Sequence, residues 1–353
     1  MRRLLIVLAL TAVALADAAP GFAGPFAVTT LATNTTDPDL KNPWGLASSA
    51  ASPFWLGVNG SGTSELYNGA GVKQALVVTI PGDGSVTGVV FSGVGFNSDL
   101  FLFASEDGTI SGWRGALGTT AETLQPADSA NVYKGLAQAL VGGFSYAYAA
   151  DFRGGTIDVL KGTGVAPDLT GNFLDPNLPA GYAPFNIQNL GGTLYVTYAV
   201  QDGAKEEDVP GAGNGIVDRF DLNGNLLGRV VTGGLLNSPW GLALAPAGFG
   251  SLGGDLLVGN FGDGLIHAYN PISGSLIETL MDASGNPIVI DGLWALRVGN
   301  GGNGGDPAKV YFTAGPNGEA GGQFGSISAV PEPATFVLLG SGLVAAVRRR
   351  RRA

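Results

Sequence analysis

The sequence predicts an all-β fold, a six-bladed β-propeller closed by its N-terminal strand, and three observations predict it. The hexapeptide Asn42-Pro43-Trp44-Gly45-Leu46-Ala47 returns almost unchanged as Ser238-Pro239-Trp240-Gly241-Leu242-Ala243. Six stretches share one order, an apolar strand, a second strand, a Gly-rich turn and a third strand, and they open near Pro43, Thr87, Lys134, Phe185, Pro239 and Leu293. Their spacing of roughly 45 to 55 residues is that of propeller blades. Finally, 59 glycines lie along the chain in pairs and triplets between apolar runs, which is turn chemistry.

The blades justify themselves in order. Third strands superpose without gaps as Ser64 to Tyr67, Ile110 to Trp113, Ile157 to Leu160, Val217 to Phe220 and Ile266 to Tyr269, each ending on a large apolar residue. The preceding turns, such as Gly60-Ser61-Gly62-Thr63 and Glu106-Asp107-Gly108-Thr109, suit tight antiparallel links. Fourth strands follow as Leu76 to Ile80, Leu226 to Val231 and Leu276 to Leu280. The last unit stops at its third strand, Phe324 to Ala329, so Phe26 to Thr33 is expected to complete that sheet and remove the exposed edges of an open array. Seven blades, with two units merged in the long fourth repeat, or a pair of β-sandwiches are the alternative architectures. Neither accounts as well for the even spacing.

Composition narrows the function classes. Charged residues are 13% of the chain and hydrophobic ones 45%, so a packed domain is expected. Apart from the basic residues of the two terminal segments, 11 Lys and Arg face 26 Asp and Glu, which argues against a nucleic-acid partner. The chain has no cysteine, which excludes disulfides, thiolate nucleophiles and sulfur-based zinc sites.

The ends carry an address. Met1-Arg2-Arg3 and the apolar run Leu4 to Ala16 match a secretory signal peptide, with cleavage sites at Ala16-Asp17-Ala18 and Gly21-Phe22-Ala23, so residues 1–23 are expected to direct export through the Sec machinery. Residues 24–329 then form the propeller. The closing stretch, 330–353, holds Pro331-Glu332-Pro333, an apolar run from Ala334 to Val347, and Arg348, Arg349, Arg350, Arg351 and Arg352. Physically this is a transmembrane helix with a basic cytoplasmic end.

Those three parts, in that order, resemble the PEP-CTERM sorting signal of Gram-negative bacteria that make extracellular polysaccharide. The resemblance implies recognition and processing by a membrane exosortase, with the protein exported to the cell envelope as a membrane-anchored precursor or to the extracellular matrix. The body is similar to a group of uncharacterised PEP-CTERM propeller proteins through the hexapeptide, Ala150 to Arg153, Ala183 to Gln188 and Leu256 to Gly264. That likeness implies an NHL-like propeller and brings no activity.

In a propeller the links between second and third strands and those between blades gather at one mouth of the channel. They place Asn59, Glu106, Asp107, Asp151, Asp202, Asn260 and Asp263 there, with Asn42, Asn186, Asn237 and Asp291 near them. Convergent oxygen ligands on a rigid ring suit a hard cation such as Ca²⁺, whereas turn residues bonding their own backbone are the plainer reading. The insert Gln201 to Gly213 adds Asp202, Glu206, Glu207 and Asp208, as a cover for the channel, a cation site or a solvated loop. Asp221 to Asn225 starts like an EF-hand loop but reads as a hairpin turn, and Trp44, Trp240 and Trp294 read as packing. His267, the single histidine, falls at the position of Glu65, Ser111, Asp158 and Asp218 in other blades, so no catalytic residue is assigned. The sequence therefore points to an exported binding module that meets extracellular polysaccharide, a cation or a surface protein. The alternative is a cation-dependent hydrolase or lyase of lactonase-like type at the same mouth, a comparison by fold alone because gluconolactonase-type local motifs are missing.

Overall fold

In the computed structural model, residues 24–330 are described, and the expected signal peptide, the Pro331-Glu332-Pro333 motif, the apolar run and the arginine tail lie outside the described residues. Six antiparallel sheets follow one another along the chain. Blade 1 runs Pro43–Ala47, Phe54–Val58, Thr63–Tyr67 and Lys73–Thr79, and blades 2, 4 and 5 repeat that simple meander. Blade 6 contains Leu293–Val298, Val310–Ala314 and Gln323–Ala329, with the leading strand Phe26–Thr33 as its fourth. The closure expected from the sequence is therefore present: Phe26 faces Ala329 and Thr33 faces Gln323, with one register shift between Thr30 and Ala32. Helical structure among the described residues amounts to three short 3₁₀ turns, and no helix there is long and apolar enough to cross a membrane.

One blade departs from the four-stranded expectation. Blade 3 has only Tyr133–Val141, Phe144–Asp151 and Thr156–Lys161. The segment after it carries Pro167, Pro176 and Pro179, which cannot donate to a ladder. It packs between blades 3 and 4 instead: Phe173 is buried against Tyr148 and Phe220 at centroid distances of 5.5 and 5.6 Å, and the Tyr146 hydroxyl donates to the Pro167 carbonyl at 2.7 Å.

The ring is made at the first strands. In all six blades the pairing of first with second strand breaks register at the same place, between Pro43 and Leu46, Val86 and Val89, Tyr133 and Gly135, Pro184 and Asn186, Pro239 and Gly241, and Leu293 and Leu296. Such bulges bend and twist a strand, here turning six edges round one axis. Glycine in the hexapeptide allows the approach. A Cβ on Gly45 would lie 2.5 Å from the Thr87 carbonyl oxygen, and one on Gly135 would lie 2.2 Å from Asn186 Oδ1. Side chains then stitch blade to blade: Thr87 Oγ1 donates to the Tyr133 carbonyl at 2.7 Å, and Asn186 Nδ2 to the Trp240 carbonyl at 2.6 Å.

Candidate functional site at the channel mouth

The channel is filled at one end by aromatic rings. Trp44 stacks on Trp294 with centroids 3.5 Å apart, Phe261 stacks on the other side of Trp294 at 4.0 Å, and Trp240 meets both tryptophans edge-on at 6.3 and 5.8 Å. All three tryptophans are at most 2% exposed. They come from blades 1, 5 and 6, so their packing runs across the axis rather than only between neighbouring blades.

Above this plug sits a charged cluster. Lys134, in the first strand of blade 3, occupies the tryptophan position of the hexapeptide: Lys134-Gly135-Leu136-Ala137 corresponds to Trp44-Gly45-Leu46-Ala47. Its side chain is fully buried, and its ammonium lies 5.1 Å from the centre of the Trp44 ring. It forms an ion pair with Glu106 of blade 2, and Glu207 of the long insert stands 3.4 Å away. Burial alone would pull the Lys134 ammonium down, but the two glutamates outweigh it and hold it above the ordinary lysine value. Asn59 Nδ2 donates to Glu106 at 3.1 Å, which ties blade 1 into the cluster. Opposite, Asn42 Nδ2 donates to Glu319 Oε2 at 2.5 Å, while Asn42 Oδ1 accepts the Trp294 indole N–H at 2.9 Å.

Negative charge is in surplus here. Burial pushes the Glu319 carboxyl up, helped by the charges of Glu106 and Asp208, against the Asn42 hydrogen bond and Lys134. Burial likewise raises Asp208 against the pull of Lys134. Glu207 keeps 63% of its side chain exposed, so solvent screens its share of the lysine pairing. Beside the cluster, a hollow of about 490 Å³ between blades 2 and 3 is lined by Asp83, Glu106, Asp107, Arg153, Glu206 and Glu207, among others. The insert reaches over it, with Glu206 ion-paired to Arg153 and Gln201 donating to the Phe152 carbonyl.

The other expected site residues take the following places. Asp107 accepts backbone N–H groups of Asp83 and Thr109, both at 2.9 Å, and Asp151 accepts that of Val132 at 2.9 Å. Asp202 accepts from Glu206 N at 2.9 Å, shaping the insert, and Asp291 accepts from Asn317 N at 2.8 Å in the loop that carries Glu319. Asn260 is buried and donates to the Leu235 carbonyl and to Asp263, and Asn186 bridges blades 4 and 5. Of the seven, Asn59 touches the charged cluster directly. Asp221 accepts from Asn223 N and Asn225 N, both at 2.9 Å, in a hairpin turn. His267 is buried in the third strand of blade 5 with Nδ1 at 2.9 Å from Thr279 Oγ1, and burial lowers its pKa.

Lys134 and Glu319 escaped the sequence reading for different reasons. A single lysine opening an apolar strand gives no motif, although its match to the tryptophan of the hexapeptide was the available signal. Glu319 lies in the loop Gly315 to Gly322, which lacks the short turn pattern of the other blades.

Oxygen donors close enough to share an ion occur elsewhere. Among the described residues, the group of three carboxylates with oxygens within 4.8 Å of one another is Asp37, Asp39 and Glu65. There Lys73 Nζ lies 2.6 Å from Asp37 and 2.8 Å from Glu65, and the Tyr67 hydroxyl is within hydrogen-bond reach of both carboxylates, so an ammonium already supplies the positive charge.

Comparison with known proteins places these features in context. Residues 329–352 match the PEP-CTERM protein-sorting motif, which marks an exported, envelope-sorted protein processed by an exosortase. Uncharacterized protein R648 of Acanthamoeba polyphaga mimivirus is 32% identical over 314 residues, covering 83% of this chain and 76% of that protein. The chain belongs to the R648 family. A second mimivirus relative, uncharacterized protein L690, is 35% identical to this chain over 191 residues, 52% of this chain and 48% of its own length. Among solved structures, a streptogramin B lyase matches with a TM-score of 0.51 at 14% identity over 88% of this chain and all of that one. A glucose dehydrogenase matches with 0.52 at 13% identity over 87% of this chain and all of that one. At such identity these likenesses concern the propeller fold alone.

Proposed function

We propose that this protein is an exported binding module of the cell envelope or extracellular matrix, and that its ligand is a polymer bearing amino and hydroxyl groups, held at the acidic channel mouth. In this reading residues 1–23 are removed on Sec export, 24–329 are the binding domain, and 330–353 deliver the chain to the exosortase through Pro331-Glu332-Pro333, a membrane helix and Arg348 to Arg352. The observation that carries it is the convergence of Glu106, Glu207, Asp208 and Glu319 on one buried lysine, Lys134. These carboxylates are not among those close enough to chelate one ion, but each can accept hydrogen bonds from ammonium or hydroxyl groups, and their surplus charge favours a cationic partner. Asp107 lines the hollow and Asn59 holds Glu106 beside it, Asp151 and Asp202 order loops next to it, and Asn186, Asn260 and Asp291 hold strands and loops of blades 4 to 6.

The test is a binding comparison with an amino-bearing glycan, its N-acetylated form and an acidic glycan. Retention of the amino-bearing polymer is expected, weakening steeply with salt because exposed charges are screened beyond about 8–10 Å at 0.1–0.15 M. Glu319→Gln, which can keep the Asn42 contact, should reduce it several-fold. Equal binding of the three polymers, or binding indifferent to salt and to Glu319→Gln, would refute the reading.

A further inference from the structure

The opposite mouth of the channel has the reverse chemistry. The late halves of the six first strands enclose a cavity of about 420 Å³ there, a size typical of small-molecule sites. Its wall is mixed: Val90, Phe91, Leu244 and Val298, all only partly buried, give it an apolar side, and Ser48, Gln138, Gln188 and Asn189 a neutral polar one. No aspartate or glutamate lines it. One cation does. Arg297 donates from Nε to Ser48 Oγ at 3.2 Å and from Nη2 to the Ser48 carbonyl at 3.0 Å, and it has no ion pair among the described residues.

A guanidinium that lines a cavity with no carboxylate in its wall leaves its charge unmatched by the protein, which favours an anionic ligand there. Burial, with no acid to oppose it, lowers its pKa to about 10, so it stays charged at neutral pH. Its remaining N–H donors suit a planar carboxylate.

We propose that this mouth is a second binding site, for a small organic carboxylate with an apolar body, whose head group pairs with Arg297 and whose hydrocarbon lies against Val90, Phe91, Leu244 and Val298. It is independent of the acidic mouth and of the ligand proposed there. The site differs from an ordinary apolar hollow in that it discriminates by charge: the same hydrocarbon ending in a hydroxyl or an ammonium lacks the partner that the arginine requires.

Calorimetric titration of the full chain with octanoate, octanol and octylamine tests it. Saturable octanoate binding at one site is expected, with octanol at least about tenfold weaker and octylamine undetectable, as loss of a charge-assisted pair implies. Arg297→Met should cost octanoate about tenfold or more and leave octanol unchanged. Gln188→Glu, a near-isosteric change on the same wall, should weaken octanoate too, by repelling it or by capturing Arg297, and it decides the matter alone if Arg297→Met does not fold. Absence of octanoate binding, equal affinity for octanol and octanoate, or full octanoate affinity in either folded variant would overturn the proposal.

Discussion

Replacing Trp294 by alanine is expected to lower the unfolding free energy by about 3–5 kcal/mol, toward the upper end of the range for large-to-small core substitutions. The reason is its place at the hub of the plug. Trp294 stacks between Trp44 and Phe261, meets Trp240 edge-on and has Phe185 tilted against it at 6.1 Å. Its neighbours belong to three other blades, 1, 4 and 5, whose separation is fixed by the bulged first strands, so the ring cannot contract to fill the hole. The loss also strips Asn42 Oδ1 of the indole donor, and Asn42 is the residue that holds Glu319. Trp294→Phe should cost less than half as much, since it keeps part of the stacking and loses the N–H. Urea unfolding followed by fluorescence and circular dichroism measures both. If the alanine variant loses less than about 1 kcal/mol, as a surface substitution would, the channel is not packed as described.

The second large effect is at Lys134. Lys134→Met preserves length and apolar stem but leaves Glu106 facing Asp208 and Glu319 with no cation between them, and truncating one partner of a buried pair costs about 3–5 kcal/mol. Because Glu106 keeps 23% of its side chain exposed and can regain some water, the low end, about 3 kcal/mol, is expected. Lys134→Met with Glu106→Gln should recover more than half of that loss. The sign of the pH response follows from the same geometry. Asp208 and Glu319 have folded pKa values raised above their unfolded ones, so the stability they contribute is present below the unfolded value and fades as pH rises through the folded one. Without Lys134 these values climb further, so the variant should gain stability relative to the parent as pH falls from neutral into the carboxylate range. Melting curves between pH 7 and pH 5 read this directly. A deficit that stays constant over that interval would mean that the carboxylates do not share one electrostatic site.

The fold was legible where the chain repeats itself and illegible where it does not. The hexapeptide and the Gly-rich turns sit at fixed offsets, so the six openings and the strand Phe26–Thr33 could be placed from the residues alone. The bulges could not be read, because the first strands are buried on both faces and show no alternation for an extra residue to interrupt. Blade 3 lost its fourth strand to a proline-rich segment whose one aromatic residue, Phe173, packs against Tyr148 of blade 3 and Phe220 of blade 4. Much less of the site was visible. Its contacts join residues far apart in sequence, Lys134 to Glu207 across 73 positions and Asn42 to Glu319 across 277, and no local motif encodes such meetings. Asp and Asn in turns drew attention because they are frequent there, and most of those residues are bonded to neighbouring backbone N–H groups.

Every site described above depends on the ring being closed by its own first strand, and because the chain has no cysteine, one cross-link can test that cleanly. Ala27 and Ser328 face each other in the pairing of the leading strand with the last one. Ala27→Cys with Ser328→Cys should oxidise to an intramolecular disulfide and raise stability by up to about 5 kcal/mol in the loop-entropy model, less any strain. Ala27→Cys with Leu227→Cys, on the outer strand of blade 4, should stay reduced. A closed ring predicts the first result with the second as its control. Failure of the matched pair to link within one molecule, or equal linking of the mismatched pair, would contradict it.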